Sequence, residues 1–207
     1  MKVVVFEKKL NNAELGKGNV HDCYIREDSD FNFNDLKFVP SEYMNFWCPK
    51  NSKLYTGIHY EKFSHENRIA GLGDFFRDFS VTAADSVIIT ARISDTKCDY
   101  SIDVRKKENV IVISNSKNGL EILNIEKLNL LNKNTLYNGE VIELKFLLRA
   151  KKRLDAPALT DFYTLTVNEV PFDLSKMGKM FEIKVENNQA FITERKSWKK
   201  SSFDIGE

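Results

Sequence analysis

Short runs rich in Val, Ile, Phe and Tyr recur along the 207-residue chain, alternating or continuous in their apolar positions and separated by polar turns. Eight of them read as strands: KVVVF (2–6), SVIITARI (86–93), YSIDV (100–104), NVIVIS (109–114), EVIELKFLL (140–148), FYTLTV (162–167), FEIKV (181–185) and AFITE (190–194). So many short strands predict a mostly β protein, a barrel or a sandwich. Asn138-Gly139 ahead of EVIELKF, and Asn187-Asn188 between FEIKV and AFITE, tolerate positive φ and predict hairpins.

Helical periodicity is thinner. GLGDFFRDF sets Phe75, Phe76 and Phe79 at roughly helical spacing behind Asp74, which predicts a short helix with Asp74 as its N-cap. In NGLEILNIEKLNLLNK, Leu120, Leu123, Leu128 and Leu131 suit a helix while Leu120 and Ile122 alternate as in a strand, so periodicity leaves both open. Residues 27–45 are acidic, Asn-rich and aperiodic, which predicts a long loop or insertion. RAKKRLDAPALTD (149–161) shifts in composition and carries a proline, as a connector would. The expected division is a main domain over 1–148, a connector over 149–161 and a small β-rich extension over 162–207.

Hydrophobic residues at 42% and charged residues at 29% disfavour disorder and a membrane protein. No apolar run approaches the length of a membrane span, and MKVVVFEKK meets charges too early for a secretory leader, so a cytoplasmic location and no membrane partner are expected. Cys23, Cys48 and Cys98 lie far apart and read as free thiols. A net charge of +1 excludes a global basic field. Local basic runs remain: Lys8, Lys9 and Lys17; Arg105-Lys106-Lys107; Arg149 with Lys151-Lys152-Arg153; and Arg195, Lys196, Lys199, Lys200.

No phosphate-binding G-x-x-x-x-G-K-[ST], H-E-x-x-H or G-x-S-x-G occurs. Three histidines, His21, His59 and His65, lack a Cys or carboxylate framework, so no metal and no other cofactor is expected. The enzymatic candidate is Glu143-Leu144-Lys145. Residues two apart on a strand share a face, so Glu143 and Lys145 would project together while Ile142, Leu144 and Phe146 face the core. That is the E-x-K half of a Mg²⁺-dependent PD-(D/E)xK nuclease, with Asp103 as the upstream acid. Asp103 lies forty residues upstream without a preceding proline and Glu194-Arg195-Lys196 repeats the pattern, so a solvated strand face is the stronger reading of the same two residues.

The stretch KKLNNAELGKGNVHD (8–22) offers glycines that let backbone approach a flat partner, lysines for phosphates, and Asn11, Asn12, Asn19 and His21 as base-edge donors and acceptors. A polar hairpin excursion has the same composition. The order strand, Lys-x-Leu, Asn-x-acid, Gly-x-Gly-x-x-His and a second strand beginning YI resembles the opening of B3-type DNA-binding pseudobarrel domains of restriction endonucleases, such as the EcoRII N-terminal domain. The resemblance implies a pseudobarrel of about seven strands with one or two short helices, reading double-stranded DNA in the major groove through two loops.

On that resemblance the first loop, the N-arm, carries Lys9, Asn11, Asn12, Glu14, Gly16, Lys17, Gly18, Asn19, His21 and Asp22. Asp22 stands where the family tends to carry Gln. The second loop, the C-arm, would be 114–124, with Asn115, Ser116, Lys117, Asn118, Glu121 and Asn124 as contacts, and Arg105, Lys106 and Lys107 on the phosphate backbone. The combination looks most like the McrB-like recognition subunit of a LlaJI-type restriction-modification system. It implies a host-defence role for a chain that is not itself an enzyme, with cleavage and GTPase activities in other parts or subunits of the complex.

Overall fold

All eight expected strands form, because each offers one apolar face or a continuous apolar stretch that a sheet can bury. The computed structural model describes residues 1–17, 23–27, 32–64, 66–154, 156, 158–175 and 177–205. The chain divides into two units: residues 1–106 with 197–207, and residues 107–196. The first unit holds β1 (Lys2–Lys9), β2 (Ile25–Arg26), β3 (Tyr43–Cys48), β4 (Lys53–Lys62), β5 (Asn67–Ala70), the helix α1 (Gly73–Asp78), β6 (Ser86–Ile93) and β7 (Cys98–Arg105). The second holds β8 (Val110–Ser116), β9 (Gly119–Ile122), β10 (Leu136–Tyr137), β11 (Glu140–Lys151), β12 (Leu159–Val167), β13 (Val170–Pro171), β14 (Met180–Glu186) and β15 (Gln189–Glu194). The chain then returns to the first unit as β16 (Trp198–Asp204), which pairs antiparallel with β1 from Lys2 opposite Asp204 to Lys8 opposite Trp198.

The first unit is one sheet in the order β16-β1-β6-β7-β3-β4-β5-β2. Its core centres on Phe6, Phe33, Phe46, Phe75 and Tyr60, with the Phe33 ring set edge-on to Phe6 at 6.1 Å and to Tyr60 at 5.5 Å. Residues 27–45 are therefore not the loop insertion expected. They contain a 3₁₀ turn, Phe33–Leu36, whose Asn32 side chain accepts the Asn34 N–H, and they bury Phe33, Leu36 and Phe38 before β3 begins at Tyr43. Spacings of three and two match neither a strand nor a helix, which hides this segment from a periodicity search. The helix is where it was expected, but Asp74 lies inside its first turn, bonded to Arg77 at 2.8 Å. Leu72 holds the N-cap position without a side-chain bond.

The helix anchors a small polar cluster. Tyr55 meets Phe75 edge-on at 5.2 Å, donates its hydroxyl to Asp78 at 2.7 Å and accepts from Asn51 at 2.8 Å, while Lys53 reaches Asp78 at 2.6 Å. Burial, then the Asp78 acceptor, pushes the Tyr55 phenol up to about 12. A phenol held neutral in the folded state stabilises it fully below the unfolded value of about 10, and that contribution disappears as pH rises toward 12. The phenolate absorbance difference between the parent and Tyr55→Phe is expected to rise near pH 12. A difference titrating at 10 would show that the Asp78 contact does not persist in solution.

The second unit is a closed seven-stranded barrel in the order β11-β10-β15-β14-β8-β9-β12, with β12 pairing back onto β11 and β13 appended to β12. Ile111, Ile113, Ile142, Leu165, Phe181 and Ile183 fill it. Asn138 and Gly139 (φ 52° and 86°) make the turn between β10 and β11, and Asn187 and Asn188 (φ 49° and 60°) make the turn between β14 and β15, as expected. The open segment uses both of its readings in succession, β9 first and then a 3₁₀ turn over Ile125–Leu130.

Two expectations change here. The closed seven-stranded barrel occupies 107–196 rather than 1–148. The stretch 149–161 is no connector, because Arg149 pairs with Asp161, Ala150 with Thr160 and Lys151 with Leu159 in one long hairpin. A polar, proline-containing stretch suits a hairpin end as well as a linker. The expected C-terminal extension is likewise split, with β14 and β15 in the barrel and β16 in the first sheet. Among the described residues no helix is long and apolar enough to cross a membrane.

Candidate nucleic-acid interface

The foot of the N-arm folds onto its own unit. The Asn11 side chain accepts the N–H groups of Ala13 (2.9 Å) and Glu14 (3.0 Å), and Glu14 returns by accepting the Asn11 N–H at 3.0 Å, the reciprocal arrangement of a capping box. A single turn follows, with Leu15 bonded to Asn11 and Lys17 to Asn12, and Gly16 at φ 69° ends it. The other carboxylate oxygen of Glu14 accepts the Arg26 N–H at 2.9 Å and lies 3.5 Å from the Lys8 ammonium, and both side chains are almost wholly buried. Glu14 is thus a strut rather than a DNA contact, and the Asn11 oxygen is engaged locally. Lys9 is half-buried on β1, its N–H donating to the Ser197 carbonyl.

Two N-arm residues remain outward or unsatisfied. Lys17 is exposed, and its ammonium has no partner among the described residues. The Asn12 side-chain oxygen is shielded from solvent yet has no hydrogen-bond partner among the described residues, a state that costs about 1–3 kcal/mol until a donor is supplied. Gly18, Asn19, His21 and Asp22 lie outside the described residues.

The expected C-arm proves to be the tight β8–β9 hairpin with Lys117 and Asn118 at its tip. It belongs to the barrel unit and the N-arm to the first sheet, so no single sheet carries both. Several of its polar groups are also engaged locally. Asn115 donates its N–H to the Lys179 carbonyl, the Ser116 hydroxyl donates to the Gly119 carbonyl, and the Asn118 amide donates to the Lys151 carbonyl at 3.3 Å. Glu121 is buried against Lys152, and Asn124, 1% exposed, accepts the Val112 N–H and donates to the Val110 carbonyl, both at 2.8 Å. Glu121 and Asn124 are therefore engaged by the protein itself, Glu121 on the face of β9 opposite Leu120 and Ile122 and Asn124 at the start of the 3₁₀ turn.

The basic run after β7 is engaged as well. Arg105 brings one terminal nitrogen to both oxygens of Glu7, Lys106 joins the carbonyls of Phe79 and Ser80 to the buried Asp85 carboxylate, and Lys107 reaches Glu182 at 3.2 Å. These cations hold the protein's own acids, a role that a run of Lys and Arg in a sequence does not reveal.

A second group of polar residues lies past the N-arm. The chain leaving the arm continues as β2, and β2 pairs antiparallel with β5 through Ile25–Ile69 and Arg26–Arg68, so Glu27 lies beside the β4–β5 turn while the arm's returning end lies toward Ala70. Asn67 donates its side-chain amide to Glu27 and its carbonyl accepts the Glu27 N–H. Arg68 lies over the rings of Tyr24 (5.2 Å) and Phe63 (4.7 Å) and bonds Glu61 at 2.5 Å. Burial raises the Glu61 carboxyl, but the hydrogen bonds from Arg68 and His59 outweigh it and hold the group below its ordinary value. Lys62 and Arg26 are exposed, Arg26 with only a loose 3.8 Å pair to Glu66. Sequence reasoning missed this turn because YTGIHYEKFSHENRIA mixes polar residues into both strands. The one signal available was the tyrosine and isoleucine alternation on its inner face.

The E-x-K pair does share a face, with Lys145 and Glu143 3.1 Å apart, each half-exposed. Ile142 is buried, but Phe146 is exposed rather than in the core. Asp103 accepts the neighbouring Val104 N–H. No group of three His, Cys, Asp or Glu side chains that could hold a metal ion occurs among the described residues. No protein-family model matches the chain, and no curated protein matches it.

Proposed function

We propose that the first unit is a recognition module for double-stranded DNA of the B3 kind that the N-arm sequence resembles. The observation that supports this most is the set of exposed cations on the arm, on β2 and at the end of β4: Lys17, Arg26 and Lys62. Side chains carried on a loop and on strand ends can enter a major groove, whose width admits protein elements that a flat surface cannot insert. Lys17, Arg26 and Lys62 supply phosphate contacts.

The unit counts seventeen Lys and Arg against eighteen Asp and Glu, so binding relies on this local cluster rather than on a long-range field. Each phosphate neutralised contributes about −0.9 to the slope of log K against log salt. Titrating a labelled random duplex pool by anisotropy at several salt concentrations is therefore expected to show a slope that loses about 0.9 for each of Lys17→Ala, Arg26→Ala and Lys62→Ala. Lys117→Ala, in the barrel, leaves it unchanged. A parent that fails to bind duplex at low salt, or a triple variant with the parent's slope, overturns the reading.

A further inference from the structure

The outer face of the first unit's sheet carries a feature that duplex recognition does not use. On β3, Met44, Phe46 and Cys48 point inward, which turns Tyr43, Asn45 and Trp47 outward. Tyr43 is 75% exposed and Trp47 44%. Leu54, opposite Trp47 on β4, is half-exposed too. Together with Arg92 from β6 and Ser101 from β7 they line an open cleft of about 750 Å³. Large aromatic side chains contribute most to stability when buried, so two of them standing outward in one concavity mark a contact surface.

We propose that this cleft binds single-stranded nucleic acid by stacking unpaired bases on Tyr43 and Trp47. The two rings sit on one strand four residues apart, about 13 Å at the rise of an extended chain, which leaves room between them for an intervening nucleotide. Asn45 lies in that interval with an amide that can both donate to and accept from a base edge. The charge around the cleft points to a phosphate-bearing ligand. The charged residues of the lining balance, Lys37 and Arg92 against Glu42 and Asp99, but Asp99 is held by Lys97 at 2.7 Å and Arg92 has no partner among the described residues, which leaves its guanidinium available to a phosphate. A neutral sugar could stack on the same rings but would gain nothing from Arg92. A duplex keeps its base faces inside the stack and cannot offer them.

This site shares no residue with the arm and the β4–β5 turn, so its test is separable from theirs. A fluorescently labelled oligothymidylate of about ten nucleotides, long enough to span both rings, is titrated into the full chain at low salt. Saturable binding with quenching of tryptophan fluorescence is expected. By the usual worth of a base–aromatic stack, Tyr43→Ala and Trp47→Ala each weaken binding about 5- to 150-fold. Trp47→Phe retains most of the binding, and Arg92→Ala reduces the salt slope by about 0.7. All three side chains face outward, so the variants keep the parent's melting temperature and its duplex binding. Oligothymidylate that does not bind, that binds Tyr43→Ala and Trp47→Ala as tightly as the parent, or that is displaced by a neutral oligosaccharide overturns the proposal.

Discussion

Glu14→Ala is expected to destabilise the first unit by about 3–5 kcal/mol, because it removes one partner of a buried ion pair. The same change takes the acceptor from two backbone N–H groups, those of Asn11 and Arg26, and deprives the buried Lys8 ammonium of its carboxylate. Glu14→Gln keeps an oxygen for one of those N–H groups and should lose less. Thermal unfolding followed by circular dichroism gives the answer. In a chain of this size each kcal/mol moves the midpoint by about 2–4 °C, so the alanine variant should melt about 6–20 °C below the parent. The two units need not unfold together, and it is the transition of the first that must move. If the midpoint stays within a degree of the parent's, Glu14 is not the strut its hydrogen bonds describe.

The second large effect lies in the barrel. Asn124→Ala leaves the Val112 N–H and the Val110 carbonyl buried and without their partner, at about 1–3 kcal/mol each. Asn124→Asp is expected to be at least as damaging, since it replaces the donor that faces the Val110 carbonyl by an acceptor. Hydrogen exchange provides a local readout, because the Val112 amide should lose protection more than amides on the opposite strands β11 and β12. Unchanged exchange at Val112, with an unchanged melting midpoint, would remove Asn124 from the account of how the barrel is held. Both residues resemble DNA contacts in sequence, and in both the fold uses the polar group inward.

That pair shows what a sequence can and cannot disclose. The strand segments are legible because alternation on a sheet is a local property, so KVVVF and SVIITARI identify themselves. The Asn138-Gly139 and Asn187-Asn188 turns are legible because positive φ selects few residue types. The direction in which Glu14, Glu121, Lys106 or Asn124 points is not local. It depends on Arg26, Lys152, Asp85 and Val110, partners that are twelve or more residues away. Phe33, Leu36 and Phe38 were hidden for a related reason, since an irregular segment can fill a core without any period. The N-arm was visible as a motif. The β4–β5 turn, beside Glu27 at the far end of β2, became visible only through the β2–β5 register.

The position of β16 governs how this protein can be made. β1 leaves a ribosome ahead of the whole barrel, yet one of its two edges has no partner until residues 198–204 follow some two hundred residues later. Synthesis runs at about 5–20 residues per second, so that edge stays bare for about ten seconds or longer while the barrel is produced and can close on its own. An uncovered strand rich in valine invites pairing with another nascent chain, and a translation product halted inside the barrel would retain that hazard permanently.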